Sequence, residues 1–178
     1  MEKKGDILVS AVIYIALGVV VLTVVLSAGL PVIQKMKDQY TISQTKEIMF
    51  RIDESIRSVY SQGPGAQIPL KTKISRGQLK VIQDEENITW TFQSKVMKSE
   101  LNTLIKEGNL QIITTENSMV KGNYNVNLTL DYSSQPTIDI TLPQPIDFLG
   151  TNQILIRNEG ASTDPLNPDD INISITSI

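Results

Sequence analysis

The chain has 178 residues, a net charge of −3, no cysteine and no histidine. Without these two residue types it has no thiolate or imidazole chemistry and no zinc site built from the usual ligands. Its lysines and arginines are scattered and form no basic stripe, so we expect no binding to nucleic acid. The length allows one hydrophobic segment followed by one domain of about 120 to 145 residues, a common size for a domain with its own core.

Residues 7–30 form an apolar run without a charged side chain. As an α-helix the run would be about 36 Å long, enough to cross the roughly 30 Å of hydrocarbon in a bilayer. Backbone amides in lipid need internal hydrogen-bond partners, so the run is predicted to be helical. It indicates either a membrane-tethered domain or a subunit whose hydrophobic tail packs in the core of a fibre.

The six residues before this run read MEKKGD, with Lys3 and Lys4 directly before Gly5. Two basic residues, a glycine, a polar residue and an apolar helix resemble the class III signal peptide of archaeal type IV pilins and related pilin-like proteins. The resemblance covers about the first thirty residues and implies that a membrane peptidase cuts between Gly5 and Asp6. Ser10 stands at the fifth mature position, where many pilins carry glutamate.

The same resemblance implies that the apolar helix first anchors the chain in the membrane and then packs against other copies in a filament. The implied partners are further copies of this chain, the membrane before assembly, the pilin peptidase and the assembly machinery. The residues assigned to this assembly or membrane helix are Ile7, Leu8, Val12, Ile15, Leu22, Leu26 and Pro31.

Other interpretations of the N-terminal segment stay open. Lys3 and Lys4 also suit the positive-inside anchor of an ordinary single-pass protein. A signal peptide cleaved near Ser27, Ala28 and Gly29 is a third possibility, although the apolar part of such peptides normally has about 7 to 15 residues. Pro31 predicts either a kink in a long helix or the break that ends it at the membrane surface.

Residues 32–61 predict an amphipathic continuation of the helix, because apolar residues recur at steps of three and four. The half nearest the membrane, residues 32–45, has too few apolar positions to be stable alone and is expected to need a partner. Glycines around a proline at residues 62–65 end the helix. The predicted domains are therefore 1–61 and 62–178. The predicted apolar stripe contains Ile33, Met36, Tyr40, Ile48, Ile52, Ile56 and Val59.

From Ile68 onward the apolar period changes to two, which predicts strands. A hairpin is predicted with a tight turn at Arg76 and Gly77, followed by a second turn at residues 84–87. Ile88, Trp90 and Phe92 alternate with polar residues in the next strand, and Trp90 is expected in the core.

The rest of the chain predicts one short helical segment and more strands. Residues 99–106 predict one or two helical turns opened by Ser99, and Asn158 with Gly160 predicts a turn. Pro143 and Pro145 restrict their segment to a loop or a sheet edge. Further strands are predicted at 110–115, 124–132, 137–142, 153–157 and 171–175. The fold class is α+β: a long N-terminal hydrophobic α-helix followed by an antiparallel β-sandwich-like head or a wrapped sheet.

The sequence offers little for catalysis or metal binding. Asp84, Glu85 and Glu86 are interpreted as a solvated charge cluster on a turn, not as an acid and base pair. Residues 164–170 carry four side chains with oxygen atoms, the ligands that calcium prefers, so this segment is a weak calcium candidate. Asp and Pro are also common in turns that bind no metal. We therefore assign no metal, no cofactor and no enzymatic activity. The weak calcium candidates are Asp164, Asn167, Asp169 and Asp170.

Three sites match the N-glycosylation acceptor pattern, at Asn87, Asn127 and Asn172. About two matches are expected by chance in a chain rich in Asn, Ser and Thr, so the pattern is only compatible with an exported head.

The sequence therefore favours a structural subunit of a type IV pilus-like extracellular filament at the cell surface. The alternatives are a single-pass anchored surface domain that binds a partner without polymerising, and an accessory pilin at the base or tip of a fibre.

Overall fold

A computed structural model describes residues 3–82, 85–97, 99–133, 138–141, 148–162 and 170–177. A single long helix, α1, runs from Lys3 to Gln62, and strands follow it. The strands are β1 (Gln67–Ile82), β2 (Asn87–Ser94), β3 (Ile105–Glu107), β4 (Leu110–Glu116), β5 (Tyr124–Asp131), β6 (Ile138–Thr141), β7 (Phe148–Ala161) and β8 (Ile171–Ser177).

The eight strands of the described residues form one hydrogen-bonded sheet in the order β3-β4-β5-β2-β1-β7-β8-β6. Neighbouring strands in this sheet are antiparallel except for β6 and β8, which are parallel. The α+β prediction, a long apolar helix followed by an antiparallel-rich β region, is confirmed.

Helix α1 continues through Pro31. The interpretation of Pro31 as the residue that ends the helix is therefore wrong, because α1 ends 31 residues later at Gln62. The predicted stop is confirmed there: Gly63 takes φ +89°, a left-handed conformation that glycine adopts at little cost. The amide of Gly63 donates a hydrogen bond to the carbonyl of Tyr60 at 3.3 Å.

The chain divides into two compact units, Met1–Asp38 and Gln39–Ile178. The division lies inside α1, so residues 39–61, which the sequence analysis grouped with the N-terminal segment, belong to the same unit as the strands. The physical reason is the burial of this part of the helix, described next.

The C-terminal part of α1 contributes a stripe of buried side chains to the core of the second unit. Met49, Ile56 and Val59 are fully buried there, and they share one cluster with buried side chains of the strands. Of the predicted stripe, Ile52, Ile56 and Val59 are buried within the chain, whereas Tyr40 is 70% exposed. Toward the N-terminus of α1, the buried stripe continues from Met49 through Thr45 and Ile42.

The predicted hairpin turn at Arg76 and Gly77 is wrong, because β1 continues through both residues. The pairing of β1 with β7 shifts its register between Ile74 and Leu79, so these turn-forming residues build an irregularity within one strand. The indole Nε1 of Trp90 donates a hydrogen bond to the carbonyl of Arg76 at 3.0 Å. The true hairpin joins β1 to β2, between Ile82 and Asn87.

The strand β2 follows the predicted alternation, with Ile88, Trp90 and Phe92 buried. Strand β5 does the same with Val126, Leu128 and Leu130. The predicted core position of Trp90 is confirmed, since its side chain is only 1% exposed.

The helical turns predicted for residues 99–106 are wrong. Ser99 does not cap a helix, because its side chain is buried and donates to Oγ1 of Thr114 at 2.9 Å. Leu101 forms a bridge with Thr114, and β3 begins at Ile105 and pairs with β4. Pairing with β4, which a local pattern does not reveal, therefore outweighs the helical preference of the segment.

The turn predicted at Asn158 and Gly160 is also wrong, because β7 runs through it with a register shift against β8. Gly160 takes φ +95° at this irregularity. The amide of Asn158 donates to the carbonyl of Ala66 at 2.9 Å, and its side-chain Nδ2 donates to the carbonyl of Val59 at 3.1 Å. Asn158 therefore links β7 by hydrogen bonds to the end of α1 and to the residue before β1. Pro143 and Pro145 lie outside the described residues.

Candidate functional site

The N-terminal part of α1 exposes an apolar surface of unusual extent. Val12, Ile15, Leu22 and Leu26 expose between 49% and 68% of their surface, and no part of the most apolar window is buried within the chain. By length and composition this helix is able to cross a membrane. A core helix of a soluble protein would be mostly buried, which this segment is not; a signal sequence near an N-terminus would meet the same criteria.

This surface is costly in water. Full burial of one Val, Leu or Ile side chain is worth about 1.5–3 kcal/mol, and soluble monomers rarely expose apolar patches larger than a few hundred Å². At roughly 25 cal/mol per Å² of apolar surface, moving the side chains of residues 9–30 from water into an apolar environment is favourable by tens of kcal/mol in total. The segment therefore requires an apolar environment outside its own chain.

The polar side chains of this segment are compatible with such an environment. The hydroxyl of Thr23 donates to the carbonyl of Val19 at 2.8 Å, and the hydroxyl of Ser27 donates to the carbonyl of Thr23 at 2.7 Å. Each hydroxyl thus has a partner inside the helix, which removes most of the cost of placing it in lipid or against another apolar surface.

The residues assigned to leader cleavage, Lys4, Gly5 and Asp6, lie in the first turns of α1. Ile7 and Leu8 also belong to α1, and the side chains of all five residues lie outside the described part of the chain. Pro31 is exposed within the helix.

A polar cluster joins α1 to the sheet within the second unit. The hydroxyl of Tyr132 donates to Oδ1 of Asp53 at 2.7 Å, and Nδ2 of Asn109 donates to the same oxygen at 3.3 Å. Nε of Arg57 donates to the other carboxylate oxygen, Oδ2, at 2.9 Å. Both oxygens of Asp53 are therefore satisfied, which is what a largely buried carboxylate requires.

Two groups of this cluster, Tyr132 and Arg57, have raised pKa values. Burial raises the pKa of the Tyr132 hydroxyl far above its usual range, and the negative charge of Asp53 raises it further. The hydrogen bond to Asp53 raises the pKa of Arg57. The raised pKa values keep the Tyr132 phenol neutral and the Arg57 guanidinium charged near neutral pH.

Sequence reasoning missed this cluster. Asp53 lies in the predicted amphipathic helix and Tyr132 at the end of the predicted strand 124–132, and no local pattern links the two. The two residues are 79 positions apart, so only the packing of helix on sheet brings them together.

Two of the three residues of the acidic turn, Glu85 and Glu86, are described. Glu85 is exposed and accepts a hydrogen bond from Nδ2 of Asn87 at 2.8 Å. Burial raises the pKa of Glu86, and the nearby charges of Asp139, Asp170 and Asp131 add to the shift. Asp84 lies outside the described residues.

The weak calcium candidate cannot be located as a whole. Asp170 is described and half-buried, while Asp164, Asn167 and Asp169 lie outside the described residues. In the part of the chain that the structure describes, no group of three acidic, histidine or cysteine side chains is placed to hold a metal ion.

The three glycosylation acceptors all lie on strands. Asn87 begins β2 and its side chain bonds Glu85, while Asn127 lies within β5 opposite Thr91. The side-chain oxygen of Asn172 accepts a hydrogen bond from the hydroxyl of Thr141 at 2.5 Å. All three side chains are half-buried.

A shallow depression of about 680 Å³ lies where β1 is irregular. Its lining is formed by Arg76, Gly77, Gln78, Thr91, Phe92, Gln93 and Asn125. The guanidinium of Arg76 already donates to the carbonyl of Gln93 at 2.7 Å, and no carboxylate or lysine contributes to this lining. The depression offers hydrogen-bonding amides but no pair of groups for acid and base chemistry.

Comparison with known proteins adds no assignment. No family model, no curated protein and no solved structure matches this chain. The exposed apolar helix is therefore the feature on which a functional interpretation depends.

Proposed function

We propose that this protein is a structural subunit of a type IV pilus-like extracellular filament that assembles through its N-terminal helix. The observation that carries the proposal is the exposed apolar surface of residues 9–30, near the N-terminus of a chain whose strands form a separate compact unit. The pattern Lys3, Lys4, Gly5 and Asp6 before this helix supports it further, through its resemblance to the leader of archaeal type IV pilins.

In this proposal the apolar helix serves two environments in turn. Before assembly it spans the cytoplasmic membrane, and after cleavage behind Gly5 it leaves the lipid and packs among the same helices of other copies. Both environments remove the same apolar side chains from water, so transfer between them costs little hydrophobic free energy. The second unit, Gln39–Ile178, which we call the β unit, forms the outer part of the fibre, and the chain carries out no catalysed reaction.

The second candidate is a single-pass surface protein that does not polymerise. The same exposed helix favours it, because a segment of about 20 apolar residues is sufficient for membrane anchoring. The two candidates differ in what surrounds the helix in the mature protein. In the first it is surrounded by neighbouring helices, and in the second by lipid acyl chains.

The deciding experiment starts from the surface fraction of cells that produce this chain. Sheared material is sedimented, examined by electron microscopy and analysed by intact mass. We expect filaments whose subunit begins at Asp6. Recovery of the chain only as detergent-soluble monomers with an uncleaved Met1 would contradict the filament proposal and favour the anchored domain.

A variant pair tests the leader directly. Gly5→Val removes the small residue behind which the peptidase is proposed to cut, so we expect an uncleaved chain that stays in the membrane. Gly18→Val is the control, because Gly18 lies outside the proposed leader and no atom lies within 4 Å of an added Cβ there. We expect the Gly18 variant to be cleaved normally, whether or not it assembles.

A further inference from the structure

The outward face of β2, β4 and β5 is built from uncharged side chains across the middle of the three strands. Burial alternates along each strand, and the strand pairing places the outward side chains in three rows. All of them except Ile113 carry a hydroxyl or an amide. We call these rows the neutral face: Gln111, Thr129 and Thr89; Ile113, Asn127 and Thr91; and Thr115, Asn125 and Gln93.

The neighbouring part of the sheet differs in charge. Lys71 and Lys73 are exposed on β1, and Arg157 is exposed on the same outward face of β7. Charged residues make up 20% of the chain, so a solvent-exposed sheet face would ordinarily include some of them. The absence of charge therefore singles out the neutral face among the described outward surfaces of the sheet.

The depression at the irregularity of β1 adjoins one corner of the neutral face. Thr91, Gln93 and Asn125 belong to both, and Gln78 lies beside Thr91 on β1. The volume of the depression, about 680 Å³, falls within the range of roughly 300–1,000 Å³ that is usual for small-molecule sites. The neutral face thus ends in a concave surface large enough for a small ligand.

The backbone of β1 and β2 sets the shape of this depression. Gly77 takes φ +84°, and a Cβ added there would lie 2.4 Å from the carbonyl oxygen of Thr91 and 2.5 Å from Cβ of Phe92. Glycine therefore allows β1 to lie directly against β2 at this point. The hydrogen bond from Nε1 of Trp90 to the carbonyl of Arg76 holds the preceding residue in place. A depression shaped by backbone needs little ordering when a ligand binds.

The polar side chains of the depression are available to a ligand. In the described part of the chain, the amides of Gln78 and Gln93 and the hydroxyl of Thr91 make no hydrogen bond. Amides and hydroxyls both donate and accept hydrogen bonds, as the hydroxyls of a sugar do. A carboxylate or phosphate only accepts, and would favour a site with several cations. Arg76 is the cation of this lining, and its guanidinium already donates to the carbonyl of Gln93.

We propose that the depression and the adjoining neutral face bind a neutral carbohydrate. One sugar ring occupies the depression, where Gln78, Thr91 and Gln93 bond its hydroxyls. Further rings of the same chain lie across β5 toward Asn127, whose amide also has no hydrogen-bond partner among the described residues. These residues all belong to the second unit, so the inference is independent of filament assembly.

Retention on immobilised glycans tests the class of ligand. The full chain, in a detergent whose headgroup is not a sugar, is passed over neutral oligosaccharides of glucose, galactose, mannose or N-acetylglucosamine, and over anionic oligogalacturonate. We expect at least one neutral surface to retain the chain at least about fivefold more than a sugar-free surface. Retention on every neutral surface no greater than on the sugar-free one, or retention on oligogalacturonate alone, would overturn the proposal.

A matched pair of glutamines tests the position of the site. Gln93 and Gln153 are both exposed on strands, but Gln93 lines the depression and Gln153 lies on β7 opposite Lys71. On a neutral surface that retains the unchanged chain, Gln93→Ala should lower retention at least about fivefold, because a hydrogen bond to the ligand is lost. Gln153→Ala should leave it within about 1.5-fold, since no ligand contact changes. Equal effects of the two variants would contradict the site.

A second pair removes only a hydroxyl. Thr91→Val keeps the branched shape of the side chain, so the strand is retained while the donor and acceptor are lost. We expect it to lower retention about threefold or more, whereas Thr151→Val, at an exposed position of β7, should change it by less than about 1.5-fold. Circular dichroism of each variant verifies that the fold is unchanged.

Salt separates hydrogen bonding from charge attraction. Between about 0.05 and 0.5 M sodium chloride, retention on the neutral glycan should change less than about twofold, because no ion pair contributes to it. A fall of more than about fivefold would show that a cation such as Arg76 carries the binding, and the assignment of a neutral ligand would then be wrong.

Discussion

Residues 9–36 and residues 42–59 belong to the same α-helix, yet they differ in almost every physical respect. In the first segment apolar side chains surround the helix and are exposed: Ile15, for example, is 68% exposed. In the second segment the apolar side chains occupy one stripe and are buried, as Ile56 is completely. A helix that is apolar all round needs an apolar environment on all sides, whereas a helix with one apolar stripe needs only a sheet on one side.

The comparison also separates what each segment contributes. Burial of Met49, Ile52 and Ile56 against the strands stabilises the fold of the second unit, so these residues are expected to matter for stability. The exposed residues of the first segment make no such contribution within the chain. We therefore expect substitutions there to change membrane insertion or assembly and to leave the unfolding of the β unit unchanged.

The largest effect is expected from a charge placed in the exposed segment. Leu22→Arg should reduce the recovery of assembled or membrane-held chain by about tenfold or more, because a central arginine costs about 3 kcal/mol in an apolar layer. Sedimentation of cell fractions measures this recovery. Ser43→Arg places the same charge at an exposed position of the other segment and should change recovery by less than about twofold, since residue 43 is already exposed to water.

The next largest effect is expected in the buried segment and concerns the stability of the fold. Ile56→Ala should lower the free energy of unfolding of the β unit by about 2–5 kcal/mol, because it leaves a cavity in a fully buried position. Ile15→Ala removes the same atoms from an exposed position and should change that free energy by less than about 0.5 kcal/mol. Denaturant titration of the full chain in detergent measures both values. Equal losses for the two variants would contradict the division into a buried and an exposed segment.

A smaller effect is expected at the contact between Tyr132 and Asp53. Tyr132→Phe should lower the free energy of unfolding by about 1–2 kcal/mol, because one hydrogen bond to a largely buried carboxylate is lost while Arg57 and Asn109 keep theirs. Tyr40→Phe is the matched control: Tyr40 is 70% exposed and should lose almost nothing.

The same contact predicts a dependence on pH. The pKa of Tyr132 is raised on folding, so the native state holds its proton where the unfolded state has lost it. Stability from this group is therefore complete below pH about 10, the ordinary pKa of tyrosine, and falls as the pH rises above that value. The decline should be weaker in Tyr132→Phe than in the unchanged chain. An identical decline in both would show that Tyr132 is not its source.

The smallest effect is expected on the solvent side of the buried segment. Arg51 and Glu47 form an ion pair at 3.4 Å, and both side chains are more than half exposed. Glu47→Gln should change the free energy of unfolding by less than about 0.5 kcal/mol, since exposed pairs one helical turn apart contribute little. A loss above about 1 kcal/mol by denaturant titration would mean that this face is covered by something other than water.

The positions of the errors made from sequence are informative. The alternation of β2 and β5 was predictable because each strand has one face in the core, which imposes a period of two on its residues. The turns assigned to Arg76 with Gly77 and to Asn158 with Gly160 were wrong because glycine and asparagine also serve irregularities within a strand. At both places the deciding contact comes from a distant residue: Trp90 for Arg76, and Val59 and Ala66 for Asn158.

The sequence by itself determined that residues 7–30 form a helix suited to an apolar environment, because an uncharged run of this length has no other stable state in lipid. It also determined where the helix ends and that strands follow, since both depend on local glycine, proline and alternation. Only the tertiary structure decided that the buried stripe includes Ile42 and Thr45 and that Asp53 meets Tyr132. Those outcomes depend on how a helix and a sheet pack, and short-range patterns carry no information about partners that lie far apart in the chain.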